Sequence, residues 1–305
     1  MDSPFGRVMQ GETIPIMTVA IYLLAVFYMN RRNRGRSHKP WISTTGGWAG
    51  TMIVAYNSAL SAFSAWIFLS SFRVLQRRWP SSNDPDYASR AVDILCNVDG
   101  GHSNGFQPSR DHPGRSNSIA YYTWLFYLSK YVELVDHVIT LTKGKEVSFA
   151  HVFHHSGAIL ALWVAVRCAE VGRLGVASLA GMMANTAFHT VIYSYYAITS
   201  LRVRVPRVMK RTLIALQIAQ FILTLVVTTG SFLTKYMAPM PAGLDYPPPG
   251  QFAFAAAEEV GRFHLPGQNG SGTGLMIPVP CLQTTTEAFT SFLGAVYVMA
   301  LLLVI

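Results

Sequence analysis

Seven runs of about 20 mostly apolar residues, each long enough for a helix to cross the hydrocarbon core of a bilayer, constrain this chain more than any other feature. They are Thr13–Asn30, Gly50–Leu69, Ser118–Thr142, Val147–Cys168, Leu174–Thr199, Leu213–Thr234 and Thr286–Ile305. In lipid, backbone polar groups must be satisfied within their own segment, and runs of this length do so as helices. Composition agrees, because 51% of residues are hydrophobic and 13% charged, against about 25% charged in soluble domains. The expectation is an all-α polytopic membrane protein with seven transmembrane helices, organised as one membrane domain over residues 1–305.

The first run does not read as a cleaved signal peptide, since Asp2, Arg7 and Glu12 flank it without a basic leader or a following cleavage site. The basic cluster "NRRNRGRSHK" follows it instead. The positive-inside rule then puts that loop in the cytosol and the N-terminus in the lumen or exterior. Alternation makes "KGK" (143–145) and "LRVRVPRVMKR" (201–211) cytosolic as well, although Arg73, Arg77 and Arg78 fall on the assigned lumenal side. Two polar, turn-rich segments, 70–117 and 235–283, become lumenal loops. The net charge of +9 lies largely beside these runs, where it sets topology and attracts anionic lipid. Nucleic acid is not an expected partner, and no dinucleotide or phosphate-loop signature occurs.

Polar residues inside the apolar runs carry the functional signal. In "FAHVFHH", His151, His154 and His155 stand at i, i+3 and i+4 and share one helical face. In "LSKYVELVDH", Lys130, Glu133 and His137 stand at i, i+3 and i+7, with Asp136 on the flank. Intramembrane charges of this kind are costly unless paired or functional. A Lys130–Glu133 ion pair and a contact from Asp136 to a histidine of the next helix would satisfy them. In "NTAFHTVIYSYY", Asn185, His189, Tyr193 and Tyr196 form a stripe within about 80° of helical arc. Gln217 and Gln220 in "LQIAQF" give a weaker signal, for which interhelical amide bonds suffice. The economical arrangement turns all four stripes toward one internal chamber.

Three chemistries compete for that chamber. The H-x-x-H-H run suggests a metal-dependent fatty acid desaturase or hydroxylase, but two imidazole-bound irons need about eight histidines. Here His137, His151, His154, His155 and His189 lie in the runs, while His38, His102, His112 and His264 are scattered through loops. A non-catalytic lipid-binding receptor or a transporter suits seven helices, yet no retinal-type lysine or pair of broken helices marks it. Acyl transfer fits best: a histidine can act as nucleophile or base, carboxylates and tyrosines can fix its tautomer, and amides can stabilise an oxyanion.

Taken in order, these motifs resemble those of the fatty acid elongases. "KYVELVDH" is similar to the family's K-x-x-E-x-x-D-T, "HVFHH" to H-x-x-H-H, "NTAFHTVIYSYY" to N-x-x-x-H-x-x-M-Y-x-Y-Y, and "LQIAQF" to the end of T-x-x-Q-x-x-Q. "CNVD" (96–99) also resembles a lumenal segment of the family. His137, Ile192 and Ile214 depart from the pattern, standing for Thr, Met and Thr.

The resemblance implies six helices around an acyl tunnel, in an endoplasmic reticulum membrane, with the C-terminus cytosolic. It implies condensation of an acyl-CoA with malonyl-CoA to 3-ketoacyl-CoA, carbon dioxide and CoA, a step that calls for no metal or redox cofactor. Partners would be a 3-ketoacyl-CoA reductase, a dehydratase and an enoyl-CoA reductase, with membrane lipids around them; a homodimer stays open. On this reading His154 attacks the thioester, His189 and Asn185 position the malonyl group, and His151, His155 and Asp136 tune the nucleophile. Lys130, Glu133, Tyr193, Tyr196, Gln217 and Gln220 complete the substrate site. CoA phosphates would meet Lys143, Lys145, Arg202, Arg204, Arg207 or Lys210 at the cytosolic mouth. Phe63, Trp66, Phe221 and Phe232 are candidates for closing the tunnel. Cys96 and Cys281 fall in lumenal loops, where oxidation is favoured, and are expected to pair, leaving Cys168 outside the bridge.

Overall fold

A computed structural model describes residues 4–35, 40, 47–96, 118–170, 174–201, 203–239, 261–264, 273–282 and 285–304. The apolar runs form α2 (Thr13–Gly35), α3 (Gly47–Arg78), α5 (Ile119–Glu133) with α6 (Val135–Thr142), α7 (Phe149–Glu170), α8 (Val176–Ser200), α9 (Arg207–Leu233) and α10 (Thr285–Val304). A short α1 (Pro4–Gln10) precedes them, and α4 (Tyr87–Cys96) follows α3. Among the described residues, four helical stretches, Thr13–Gly35, Gly47–Arg78, Phe149–Ala169 and Arg207–Leu233, have the length and apolarity to cross a membrane. Their outward faces carry bare apolar side chains, such as Leu24 at 71% exposure, Phe27 at 71% and Leu233 at 82%. A water-facing helix would bury that stripe, so the exposed stripe identifies lipid as the solvent.

The helices close on one another. α3 packs along α8, α8 along α9, α9 along α10, α10 on α7, α7 on α5, and α5 back on α3, while α2 lies outside against α6 and α7. Ile67, Ile119, Phe126, Leu179 and Met182 fill the core where α3, α5 and α8 meet. α5 begins at Ser118, an N-cap whose hydroxyl accepts from the Tyr121 N–H at 3.1 Å.

The third run is two helices rather than one. Leu134 N–H donates to Tyr131 O at 3.3 Å and His137 N–H to Leu134 O at 3.1 Å, three-residue bonds that wind the chain at about 120° per residue instead of about 100°. The winding of α6 is therefore offset in phase from that of α5. The turn that follows α6 is clamped by α2: Asn30 exchanges two 3.0 Å bonds with the Val147 backbone, and Asn33 Nδ2 donates to Leu141 O at 3.0 Å and Lys145 O at 2.9 Å. Gly144, at φ 74°, makes the reversal that this clamp requires.

Two segments expected as loops hold structure. α3 runs on to Arg78, and α4 occupies part of the first. The second contains an antiparallel sheet of order β1-β3-β2, from Lys235–Pro239, Thr273–Pro280 and Gly261–His264 respectively. Its prolines sit where they cost little, because Pro278 and Pro280 pair with β1 but lie beyond the reach of β2. Cys96 at the end of α4 is bonded to Cys281 just past β3, as expected, and Tyr236 and Val279 pack around the bridge.

Candidate functional site

Inside the ring lies a cavity of about 710 Å³. α8 supplies most of one wall with Asn185, His189, Tyr193 and Tyr196, all four members of the stripe read from sequence. Its geometry survives because α8 is unbroken from Val176 to Ser200, so helical spacing alone keeps the four together. α7 contributes His151, His154 and His155, α9 contributes Gln217, Gln220 and Phe221, and α6 contributes Asp136. Lys143 lines the cavity at the end nearest the clamped turn, together with Thr140, Ser148, Thr199 and Ser200. Burial, and then the neighbouring Lys145, hold the Lys143 ammonium below the usual lysine range.

Lys130 and Glu133 form the expected ion pair, yet they stand behind the wall rather than on it. Lys130 Nζ lies 2.9 Å from both carboxylate oxygens and donates to Asn185 Oδ1 at 3.0 Å. Ser129 Oγ donates to Glu133 Oε1 at 3.0 Å. His189 Nδ1 is 3.4 Å from the same oxygen, near enough for a charge contact but not aligned as a hydrogen bond. The pair thus holds two cavity residues of α8 from behind. It sets their positions and leaves contact with a ligand to Asn185 and His189.

Asp136 does not reach a histidine of the next helix. The tightened turn at Leu134 brings it onto the cavity, where Asp136 Oδ2 accepts from Tyr193 Oη at 2.7 Å. His137 is not on the cavity wall and packs against His151 and His155, with ring centroids 4.3 Å and 4.6 Å away. The three histidines of α7 also divide. His151 Nε2 and His155 Nε2 are 3.0 Å apart, whereas His154 turns toward α9 and α10, its ring edge-on to Phe221 at 5.6 Å.

Two residues that sequence reasoning missed hold His154. Tyr297 on α10 donates its phenolic proton to His154 O at 2.6 Å and lies 3.3 Å from His154 Nδ1. With that proton engaged, the phenol oxygen can only accept from Nδ1–H, which leaves the Nε2 lone pair available. Gly157, one turn along α7, makes room for the ring, since a Cβ there would stand 2.1 Å from Tyr297 Cε2. A glycine inside an apolar helical run was the one available signal. On α3, Ile53 and Asn57 also line the cavity.

Among the other expected site residues, Lys145 and Arg207 are exposed and away from the cavity wall, and Arg202 lies outside the described residues. Of the four aromatic candidates for a tunnel end, Phe221 lines the cavity. Phe63 and Trp66 pack on each other at 5.9 Å, and Phe232 is 42% exposed.

A ring of lipid-facing helices around a chamber of imidazoles, amides and phenols defines a polytopic membrane protein with a buried polar site. The chain belongs to the ELO (GNS1/SUR4) family, whose profile matches residues 7–304. It is 34% identical over 116 residues to very long chain fatty acid elongase 7 of Rattus norvegicus, covering 37% of this chain and 40% of that protein. It is 41% identical over 85 residues to fatty acid elongase 6 of Leishmania major, covering 27% and 21%. A longer match, 22% identical over 239 residues, joins it to very long chain fatty acid elongase 5 of Xenopus tropicalis, covering 77% and 70%. The matched stretch spans less than half the length of the rat and Leishmania relatives.

Proposed function

We propose that this protein is a condensing enzyme of fatty acid elongation, an acyltransferase joining a long-chain acyl-CoA to malonyl-CoA. The observation that carries this reading is His154, held by Tyr297 with Nε2 available, on a cavity shared with Asn185 and His189. Nε2 attacks the acyl thioester carbonyl and expels CoA as its thiolate, leaving an acyl-imidazolium whose Nδ1 proton stays on the ring against Tyr297. Malonyl-CoA then loses its carboxylate as carbon dioxide, and the resulting enolate carbon attacks the acyl carbon. The imidazole leaves, and the product is 3-ketoacyl-CoA, two carbons longer. Asn185 and His189, fixed by the Lys130–Glu133 pair, stabilise the enolate oxygen, and the Asp136–Tyr193 pair orders the wall beside them.

Under this proposal seven transmembrane helices form a single domain in the endoplasmic reticulum membrane, with the N-terminus lumenal and the C-terminus cytosolic. CoA phosphates meet Lys143 at the cavity mouth, and the acyl chain runs between the helices in a tunnel. The reductases and dehydratase of the cycle act on the product.

The test is acyl-CoA-dependent release of labelled carbon dioxide from carboxyl-labelled malonyl-CoA, by purified protein in lipid, across a panel of acyl chain lengths. Release that disappears in His154→Ala is the expected result. No release from folded protein across the panel overturns the proposal. Incubation without malonyl-CoA followed by peptide mapping should find the acyl group on His154, and an unlabelled His154 removes the covalent step.

A further inference from the structure

Beside the chamber three imidazoles converge, and the two that are buried, His137 and His155, lack partners that buried imidazoles need. His137 and His155 are 1% and 4% exposed. Neither ring nitrogen of His137 makes a hydrogen bond, and neither does Nδ1 of His155. Tyr22, whose ring packs on His137 at 5.3 Å, has an orphaned hydroxyl as well. Native proteins rarely leave several polar atoms unsatisfied in one buried place, and a cluster of them points to a group that completes it. One nitrogen from each of His137, His151 and His155 lies within 4.8 Å of the others. The 3.0 Å approach of His151 Nε2 to His155 Nε2 requires a proton between two lone pairs, and a cation fills that role equally well.

We infer that His137, His151 and His155 form a binding site for a single first-row transition-metal ion. Histidines at i and i+4 on one helix face are a chelating pair, and His137 from α6 supplies the third donor. Three neutral imidazoles suit zinc, copper, iron or nickel and disfavour magnesium or calcium, which take oxygen ligands. The two nearby carboxylates are engaged elsewhere, Asp136 with Tyr193 and Glu133 with Lys130. The count of histidines too small for two irons is sufficient for one ion with an open fourth position. His151 lines the cavity, so that position faces the chamber. The ion braces α6 against α7 one residue from His154.

The probe is zinc, added to tag-free full-length protein in lipid nanodiscs after removal of metal by chelator. Elemental analysis should find one tightly held ion per chain, with X-ray absorption showing three imidazole ligands. His137→Gln should weaken zinc binding by more than about 100-fold, beyond the 10–100-fold attached to loss of an outer-shell partner. His264→Gln should leave it unchanged. Zinc retained at wild-type affinity in His137→Gln overturns the inference, as does folded wild type that takes up no zinc. If the variant fails to fold, the wild-type absorption spectrum decides, and fewer than three imidazoles overturns the site.

Discussion

Replacing Gly157 by alanine sets two effects of opposite sign against each other. Alanine in a helix interior gains about 0.8–1.0 kcal/mol over glycine. Here, however, the new methyl would lie 2.1 Å from Tyr297 Cε2, 2.7 Å from Cζ and 2.9 Å from Cδ2. Carbon atoms in contact need about 3.5–4.0 Å, so the ring must recede by about 1.4 Å or more. That takes the phenol out of bonding range of His154 O, which it now meets at 2.6 Å. The lost hydrogen bond costs about 0.5–1.5 kcal/mol and the overpacking about 1–3 kcal/mol. Gly157→Ala should therefore destabilise by about 0.5–3.7 kcal/mol. Condensation should fall further than stability, because a misplacement of about 1 Å at a reacting group can cost about 100-fold in rate. In a Tyr297→Ala background the clash is gone and the same substitution should stabilise, so the sign reverses. Thermal unfolding in nanodiscs and carbon dioxide release read both quantities. Gly157→Ala that stabilises the otherwise unaltered protein, or that costs the same in both backgrounds, refutes the reasoning.

Lys130→Met should destabilise by about 3–5 kcal/mol by leaving Glu133 buried and unpaired; in Lys130→Met/Glu133→Gln most of the stability should return while carbon dioxide release stays low, because Asn185 and His189 lose their supports. Cys96→Ser should lower the unfolding temperature, since the bridge closes a 185-residue separation, worth up to about 5 kcal/mol by loop entropy; an unchanged melting curve would show the bridge to be inert. Because the Lys143 ammonium is held below the usual lysine range, it loses its charge at a lower pH than an ordinary lysine. The KM for acyl-CoA should therefore rise with increasing pH and the rise should vanish in Lys143→Arg; parallel profiles for the two proteins would exclude Lys143 from CoA binding.

The wall of the chamber was legible where one helix runs unbroken. Asn185, His189, Tyr193 and Tyr196 fall together on α8 because nothing disturbs its winding, so periodicity placed them correctly. The third apolar run was misread in its second half, because the tightened turn at Leu134 has no proline or glycine to announce it. Lys130 and Glu133 kept their pairing, since both precede the turn, while Asp136 lines the cavity and His137 does not. The sheet was hidden for a different reason. The segment 235–283 reads as turn-rich, and Pro278 and Pro280 are tolerable in a strand because it pairs with β1 on one side there. Tyr297 and Gly157 meet through the packing of α10 on α7, which no local pattern encodes.

The Cys96–Cys281 bridge also sets an order of events during synthesis. At about 5–20 residues per second, the 185 residues between the two cysteines take about 10–40 s to emerge. Throughout that interval Cys96 is a nascent-chain thiol without its mate, and α7, α8 and α9 must insert beside it. Tyr297 lies later still, so His154 gains its phenolic support only after α10 has emerged. A ribosome stalled before Cys281 would leave a membrane-inserted chain with the histidines present but unassembled, marked for surveillance by the unbridged Cys96 thiol.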